Sequence, residues 1–304
     1  MKKSNFTDNR TMTSLIPILV AVVALVLGVL LILTLTGRSK SNAAATVERS
    51  KNTKGREALI RSASKKLASN PRDPKALTEV GAIYFIDQSW EKAYKVYQVL
   101  VELAQGGGQG VNAFEASFRM GMSALKIGNT NEAYRGFSMA RSINANDFEA
   151  NYNLGALEFD RKNYDRATQL LQVAAKRDPE HPATLRLLGH AFFRLKKAKE
   201  AMTFIRKAID LAPDDKESLF TLGECYQEAG QVDQALRIFA HLRADPILGP
   251  NACLYSGTIN MDQHQTEKAI QDFEIGLRHK GMKPDVATDI RYRLANCCKL
   301  SIIA

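Results

Sequence analysis

The sequence is poor in the residues on which most catalytic and metal chemistry depends. Its 304 residues contain four cysteines, five histidines and one tryptophan. The cysteines are Cys225, Cys253, Cys297 and Cys298, and no pair has the two-residue spacing of a zinc or thiol-redox motif. Adjacent Cys297 and Cys298 would point to different faces of a helix. All four read as small apolar core residues, and a core this large needs no disulfide framework. The histidines (His181, His190, His241, His264, His279) show no metal-ligand spacing with one another or with cysteine. No Gly-x-Ser-x-Gly elbow and no His-Glu-x-x-His pair occurs. The one glycine cluster, Gly106-Gly107-Gly108-Gln109-Gly110, lacks the Gly-Lys-Ser/Thr ending of a phosphate-binding loop and follows a helical pattern, so it reads as a loop insertion. These absences leave no catalytic residue, cofactor, metal or small-molecule substrate to assign, and the chain reads as a non-enzyme.

Excess charge is also scarce once the amino-terminal stretch is set aside. Residues 1–56 hold nine Lys/Arg and two acids, a net of +7 out of a chain total of +10, so residues 57–304 carry only +3. A folded part this near neutrality argues against nucleic acid as a partner. From Leu15 to Thr36 no charged residue occurs. At about 1.5 Å per residue that run makes a helix of roughly 33 Å, enough for a hydrocarbon core of about 30 Å. Pro17 lies in the first turn, where a missing N–H costs little. The run exceeds the roughly 7–15 residues of a cleaved signal's apolar region, and Arg38 and Lys40 separate it from the small residues Ala43-Ala44-Ala45. The reading is a basic tail at 1–14, an uncleaved transmembrane helix at 15–36 and a polar linker at 37–54. Flanking charges are nearly balanced, with Lys2, Lys3 and Arg10 on one side and Arg38, Lys40, Arg49 and Lys51 on the other. The Met-Lys-Lys start resembles a bacterial export signal and favours the periplasmic, extracytoplasmic side of a bacterial inner membrane for the remainder. Unpaired cysteines lean the other way.

The strongest signal is a 34-residue beat. Gly121, Gly155, Gly189, Gly223 and Gly257 follow one another at that spacing, each with an alanine twelve residues on: Ala133, Ala167, Ala201, Ala235 and Ala269. Gly81 and Ala93 repeat the internal spacing. Four residues past each alanine stands a large apolar side chain: Tyr97, Phe137, Leu171, Ile205, Phe239 and Phe273. Such a unit predicts two antiparallel helices, A and B. Small residues stand where the axes approach, and the large residue lies one turn along helix B. Pro71, Pro179 and Pro213 fall in register where helix B must stop. One unit cannot bury its apolar face alone, so stacking supplies the core. The units run 74–106, 114–147, 148–181, 182–215, 216–249 and 250–283. A leading capping segment at 55–73, whose helix reads from Lys54 to Ser69 with Leu59, Ala63 and Leu67 on one stripe, and a closing segment at 284–304, whose helix reads from Val286 to Leu300 with Ile290, Leu294 and Cys297 inward, cap the ends. Asp214-Asp215 read as turn or helix-start residues. Trp90 and Tyr164, both at position 17 of their units, read as packing.

Period and pattern resemble the tetratricopeptide repeat: Leu154-Gly155, Ala167, Ala174 and Pro179 in the third unit, Leu222-Gly223, Tyr226, Ala235 and Phe239 in the fifth. The family's frequent tryptophan at position 4 is replaced by Leu77, Ser117, Asn151, Leu185, Leu219 and Cys253. The sixth unit departs further, with Ser256 before its glycine and Asn260 where tyrosine is usual. The resemblance implies an all-α, right-handed α-α superhelix preceded here by one transmembrane helix. It also implies a concave, protein-binding groove lined by positions 2, 5, 9, 12 and 13. Carried onto this sequence, that groove holds Phe118, Met122 and Leu125, then Tyr152 and Phe159, then Arg186, His190, Phe193 and Arg194, then Phe220 and Glu224. No unit has the Lys and Asn pair at positions 5 and 9 by which some members grip a terminal carboxylate. Arg186, His190 and Arg194, at i and i+4 spacings, are expected to face one way and to suit an acidic segment of a partner. The expected function is a membrane-anchored scaffold that takes a peptide or helix of another protein. Alternatives are a regulatory subunit of an envelope protease or biosynthetic enzyme, and a structural part of a flagellar or secretion assembly.

Overall fold

A computed structural model describes residues 53–303, and every regular element in that range is a helix. The expected tail at 1–14, span at 15–36 and nearly all of the linker lie outside the described residues. Among the described residues no helix is long and apolar enough to cross a membrane. The chain divides into two compact units, meeting at Val111 and Asn112 just after the glycine insertion.

The first unit holds α1 (Thr53–Ser69), α2 (Pro74–Ile86) and α3 (Trp90–Gln105). The stripe expected on the leading helix does face inward. Leu59 and Ile60 pack on Ala82 and Ile83, while Ala63 and Leu67 pack with Ala76 and Val80. The leading helix ends at Ser69, and Asp73 begins the next: its carboxylate accepts the Ala76 amide at 2.7 Å.

The second unit holds α4 (Ala113–Lys126), α5 (Thr130–Ile143), α6 (Phe148–Asp160), α7 (Tyr164–Arg177), α8 (Pro182–Arg194) and α9 (Ala198–Leu211). It continues with α10 (Lys216–Glu228), α11 (Val232–Leu242), α12 (Gly249–Asp262), α13 (Thr266–Leu277) and α14 (Pro284–Ile303). Asn112, Asp147 and Asp215 each accept the amide three residues on, so most A helices start on a side-chain cap; Asn129 does the same for the B helix α5. The turn between A and B helices is one structure used six times. Its position 15 is left-handed in every unit: Gln88, Gly128, Lys162, Lys196, Gly230 and His264. The amide of position 16 then returns to the carbonyl of position 11, as in Asn163 to Glu158 at 2.9 Å and Gln231 to Tyr226 at 2.8 Å. This closes the orphan carbonyls of helix A.

All six alanines of the beat are fully buried, and the large residues four further on are at most 2% exposed. The glycines work differently from a simple approach of two backbones. A Cβ at Gly155 would sit 2.7 Å from Leu171 Cγ, and one at Gly223 2.8 Å from Phe239 Cε1. The closest such encounters are Gly189 with Ile205 and Gly257 with Phe273. The glycine is thus the socket for its own unit's large helix-B residue. Only the α4–α5 pair brings backbones together there: a Cβ at Gly136 would meet Gly121 Cα at 2.6 Å. The sixth unit packs like the others despite its departures. Asn260 donates to the buried Asp272 at 2.8 Å, and Arg243 pairs with the same carboxylate, so an amide–acid–guanidinium cluster stands where tyrosine is usual. The closing helix covers Ala269 and Phe273 with Ile290, Leu294 and Cys297, as expected.

Candidate protein-binding face

Within the second unit α8 contacts both α6 and α10, and Tyr255 of α12 donates to Glu224 of α10, so these A helices lie side by side. Links between one repeat and the next recur at a separation of 29–32 residues rather than 34. Arg186 reaches Asp215 and Glu217, His190 meets Thr221, Glu224 meets Tyr255 and Lys196 meets Glu228. Stacked units are offset by about one helical turn, so a side chain meets the residue two to five positions short of its equivalent. The same separation appears inside the first unit, in Arg72–Glu102 at 3.1 Å.

Every residue expected in the groove is half-buried except Arg194, which is exposed. On α4, Phe118 stacks over Phe114 with centroids 6.2 Å apart and tilts against core Phe137 at 5.6 Å, while Met122 and Leu125 stay half-buried on the same helix. On α6, Tyr152 stacks on Phe148 at 6.0 Å, and both rings meet the edge of His181 at 5.4 and 5.0 Å. His181 also caps α8, its Nδ1 accepting the Thr184 amide at 3.2 Å. Phe159 turns to Tyr164 of its own unit, edge to face at 5.3 Å, as Phe85 does to Trp90. In these two units positions 12 and 17 are therefore an aromatic clasp at the A–B turn, and Trp90 and Tyr164 are packing residues. Phe220 lies 5.4 Å from the Tyr255 ring, and Phe193 carries the Lys196 ammonium 5.7 Å from its centroid.

The basic cluster on α8 is partly spoken for. The Arg186 guanidinium lies 3.8 Å from Asp215 and 3.6 Å from Glu217 of the next A helix. Burial, helped by the like charges of Arg186 and Arg194 and opposed by Asp215, pushes the His190 pKa down to about 4. His190 is therefore neutral at pH 7, with Nε2 3.2 Å from the Thr221 hydroxyl. Arg194 has no ion pair among the described residues. Burial raises the Glu224 pKa, while the Tyr255 hydroxyl, donating at 2.7 Å, and Arg194 pull it back. Tyr255, Thr221 and Glu217 belong to this face and were not singled out from the sequence. The 29–32 separation would have found them, starting from Arg186, His190 and Glu224.

Two models described as tetratricopeptide repeat match the chain, one over residues 158–217 and 192–246, the other over 118–182. The solved structure of YrrB, a TPR protein with an unusual peptide-binding site, is 18% identical with a TM-score of 0.56, covering 66% of this chain and all of that one. The C-terminal part of a TPR repeat-containing protein from Cytophaga hutchinsonii is 15% identical with a TM-score of 0.55, covering 81% and 97%. At these identities the likeness is one of fold. The BBSome complex member BBS4 of Bos taurus is 29% identical over 120 residues, which are 40% of this chain and 22% of that protein. The match thus spans about a fifth of that relative's length. The matched segments establish tetratricopeptide repeats over residues 118–246, and the same 34-residue beat and shared turn recur in the helix pairs on either side.

Proposed function

We propose that this chain is a membrane-anchored scaffold whose A-helix face, in a right-handed superhelical groove, takes an extended or helical segment of another protein. Repeats of this kind bind proteins and peptides. The observation that carries the reading is the ladder on the even-numbered helices of the second unit. Arg186 and His190 tie α8 to α10, and Glu224 with Tyr255 ties α10 to α12. Half-buried aromatics stand between them, a residue type enriched where proteins meet. Arg194 is the exposed cation on that ladder, and it suits an acidic group of the partner. The anchor is the uncharged run at 15–36, and the reading places the repeats on the extracytoplasmic side of a bacterial inner membrane. A tether there would raise the local concentration of the scaffold around membrane partners.

A photo-crosslinking residue at Phe193 in the full chain, with the same residue at exposed Lys207 as control, tests the face. Discrete adducts from Phe193, absent from Lys207 and lost on adding Arg194→Glu, are expected; equal labelling at both sites refutes it. Resistance to alkaline extraction and a carboxyl-terminal compartment reporter test the anchor and its side. A chain released at alkaline pH would end the anchoring reading.

A further inference from the structure

The whole net charge of this protein lies in its first quarter. Residues 1–75 hold 14 Lys/Arg and 4 Asp/Glu, a net of +10, while residues 76–304 hold 28 of each. Part of that excess sits on α1. This helix carries Lys54, Arg56, Arg61, Lys65 and Lys66 against one acid, Glu57. Its inward stripe is committed: Leu59, Ile60, Ala63 and Leu67 pack on α2, and Arg56 pairs with Asp87. Its outward side is not. Ala58, Arg61, Ser62, Lys65, Lys66 and Ala68 are all exposed. Arg61 touches Glu57 at 3.8 Å with both side chains largely in water, a pairing that neutralises little. Lys65 and Lys66 have no ion pair among the described residues. The linker immediately before the helix adds Arg38, Lys40, Arg49 and Lys51 against Glu48.

An end cap needs a polar outer face for solubility, and mixed charges would supply it. A cap of almost one sign fits a flat polyanion instead. We propose that the outer face of α1 seats on the anionic headgroups of a lipid bilayer. The inference rests on the membrane reading for the place of that surface, since the basic stretch starts where the apolar run at 15–36 ends. Basic residues beside a membrane segment each add about fivefold to affinity for an anionic surface, and the attraction fades within a Debye length. Seated this way, α1 would hold the first repeats against the membrane and not at the end of a loose tether.

The test uses the full chain in lipid nanodiscs, either phosphatidylcholine alone or with about 30% phosphatidylglycerol, a content that supplies the negative surface potential the face requires. Hydrogen exchange by mass spectrometry follows residues 57–69. Exchange in this segment is expected to slow about tenfold or more in the anionic discs only. About 0.5 M NaCl, which shortens the Debye length to roughly 4 Å, should erase the difference. Arg61→Gln with Lys65→Gln and Lys66→Gln removes three charges, roughly a hundredfold in surface affinity. That variant should lose the slowing while its melting temperature holds, because the three side chains are exposed and tie nothing down. Equal exchange in both discs, or slowing that survives salt, overturns the proposal. Slowing produced by a single-stranded oligonucleotide and not by anionic discs assigns the face to nucleic acid and overturns it as well. Alkaline extraction in parallel separates the two readings. If the chain leaves neutral discs, the span at 15–36 fails, and salt-sensitive flotation with anionic vesicles still decides the α1 face.

Discussion

The glycine sockets predict that Gly189→Ala destabilises the array, although alanine is the better helix former by about 1 kcal/mol. An added Cβ would land inside the contact shell of Ile205 Cγ1 and 3.3 Å from the Ala201 carbonyl oxygen. Ile205 is fully buried and cannot swing into solvent. Overpacking of this kind costs about 1–3 kcal/mol, so the clash outweighs the propensity gain and a net loss of about 1–2 kcal/mol is expected. Ile205→Ala alone should cost about 2–5 kcal/mol by emptying the same socket. In the double variant the new methyl refills part of that void, so the combined loss should fall short of the sum by about 1–3 kcal/mol. An array of repeats need not unfold in one step. The readout is therefore local: hydrogen exchange of α8 and α9 peptides under native conditions, beside urea unfolding followed by circular dichroism. The reasoning also sets a rank order, because Val96 stands 3.0 Å from a Cβ at Gly81, the loosest of the six sockets. Gly81→Ala should be the mildest of the series. A stabilised Gly189→Ala, or a double variant additive within about 0.5 kcal/mol, refutes the socket account.

Three further outcomes follow from particular side chains. Lys162 holds φ 63° at the shared turn without glycine's freedom, so Lys162→Gly should raise stability by about 1 kcal/mol in a melting or urea experiment. Asp272 is the common acceptor for Asn260 and Arg243; Asp272→Ala should cost about 2–4 kcal/mol and loosen α12 and α13, with Asp272→Asn milder. His190 is held neutral by burial and by Arg186 and Arg194, so its stabilising contribution is complete above the ordinary histidine pKa of 6.5 and lost as pH falls towards about 4. Stability of the α8–α10 region should therefore drop by up to about 3 kcal/mol between pH 6.5 and 4. His190→Gln should flatten that part of the profile.

Much of the architecture was legible without coordinates. The fixed spacing of Gly, Ala and large apolar residues placed all six helix pairs. The stripe Leu59, Ala63 and Leu67 marked the leading cap, and Ile290 with Cys297 marked the closing one. Local chemistry did the same for the helix start at Asp215. The sixth unit shows where pattern matching runs short. Asn260 departs from the family residue, and its replacement partner Asp272 lies twelve residues away on the other helix of the pair.

The binding face was half legible, for a physical reason. Position within a repeat indicates which residues leave helix A on the inner side, and all eleven named from the resemblance are at least partly accessible. It does not indicate which of them the neighbouring repeat has already engaged. That depends on the one-turn offset between stacked pairs, a packing outcome that brings Arg186 to Asp215 and Tyr255 to Glu224. The amino-acid order alone determined the period, the pairing of helices and the need for tiny side chains at one site per unit. Tertiary packing decided what fills each vacancy left by those side chains. It is Ile205 at Gly189 and Phe137 at Gly121, where the bare backbone of Gly136 also closes against Gly121, because the distance between two helices is set by all the residues along their contact and not by one glycine alone.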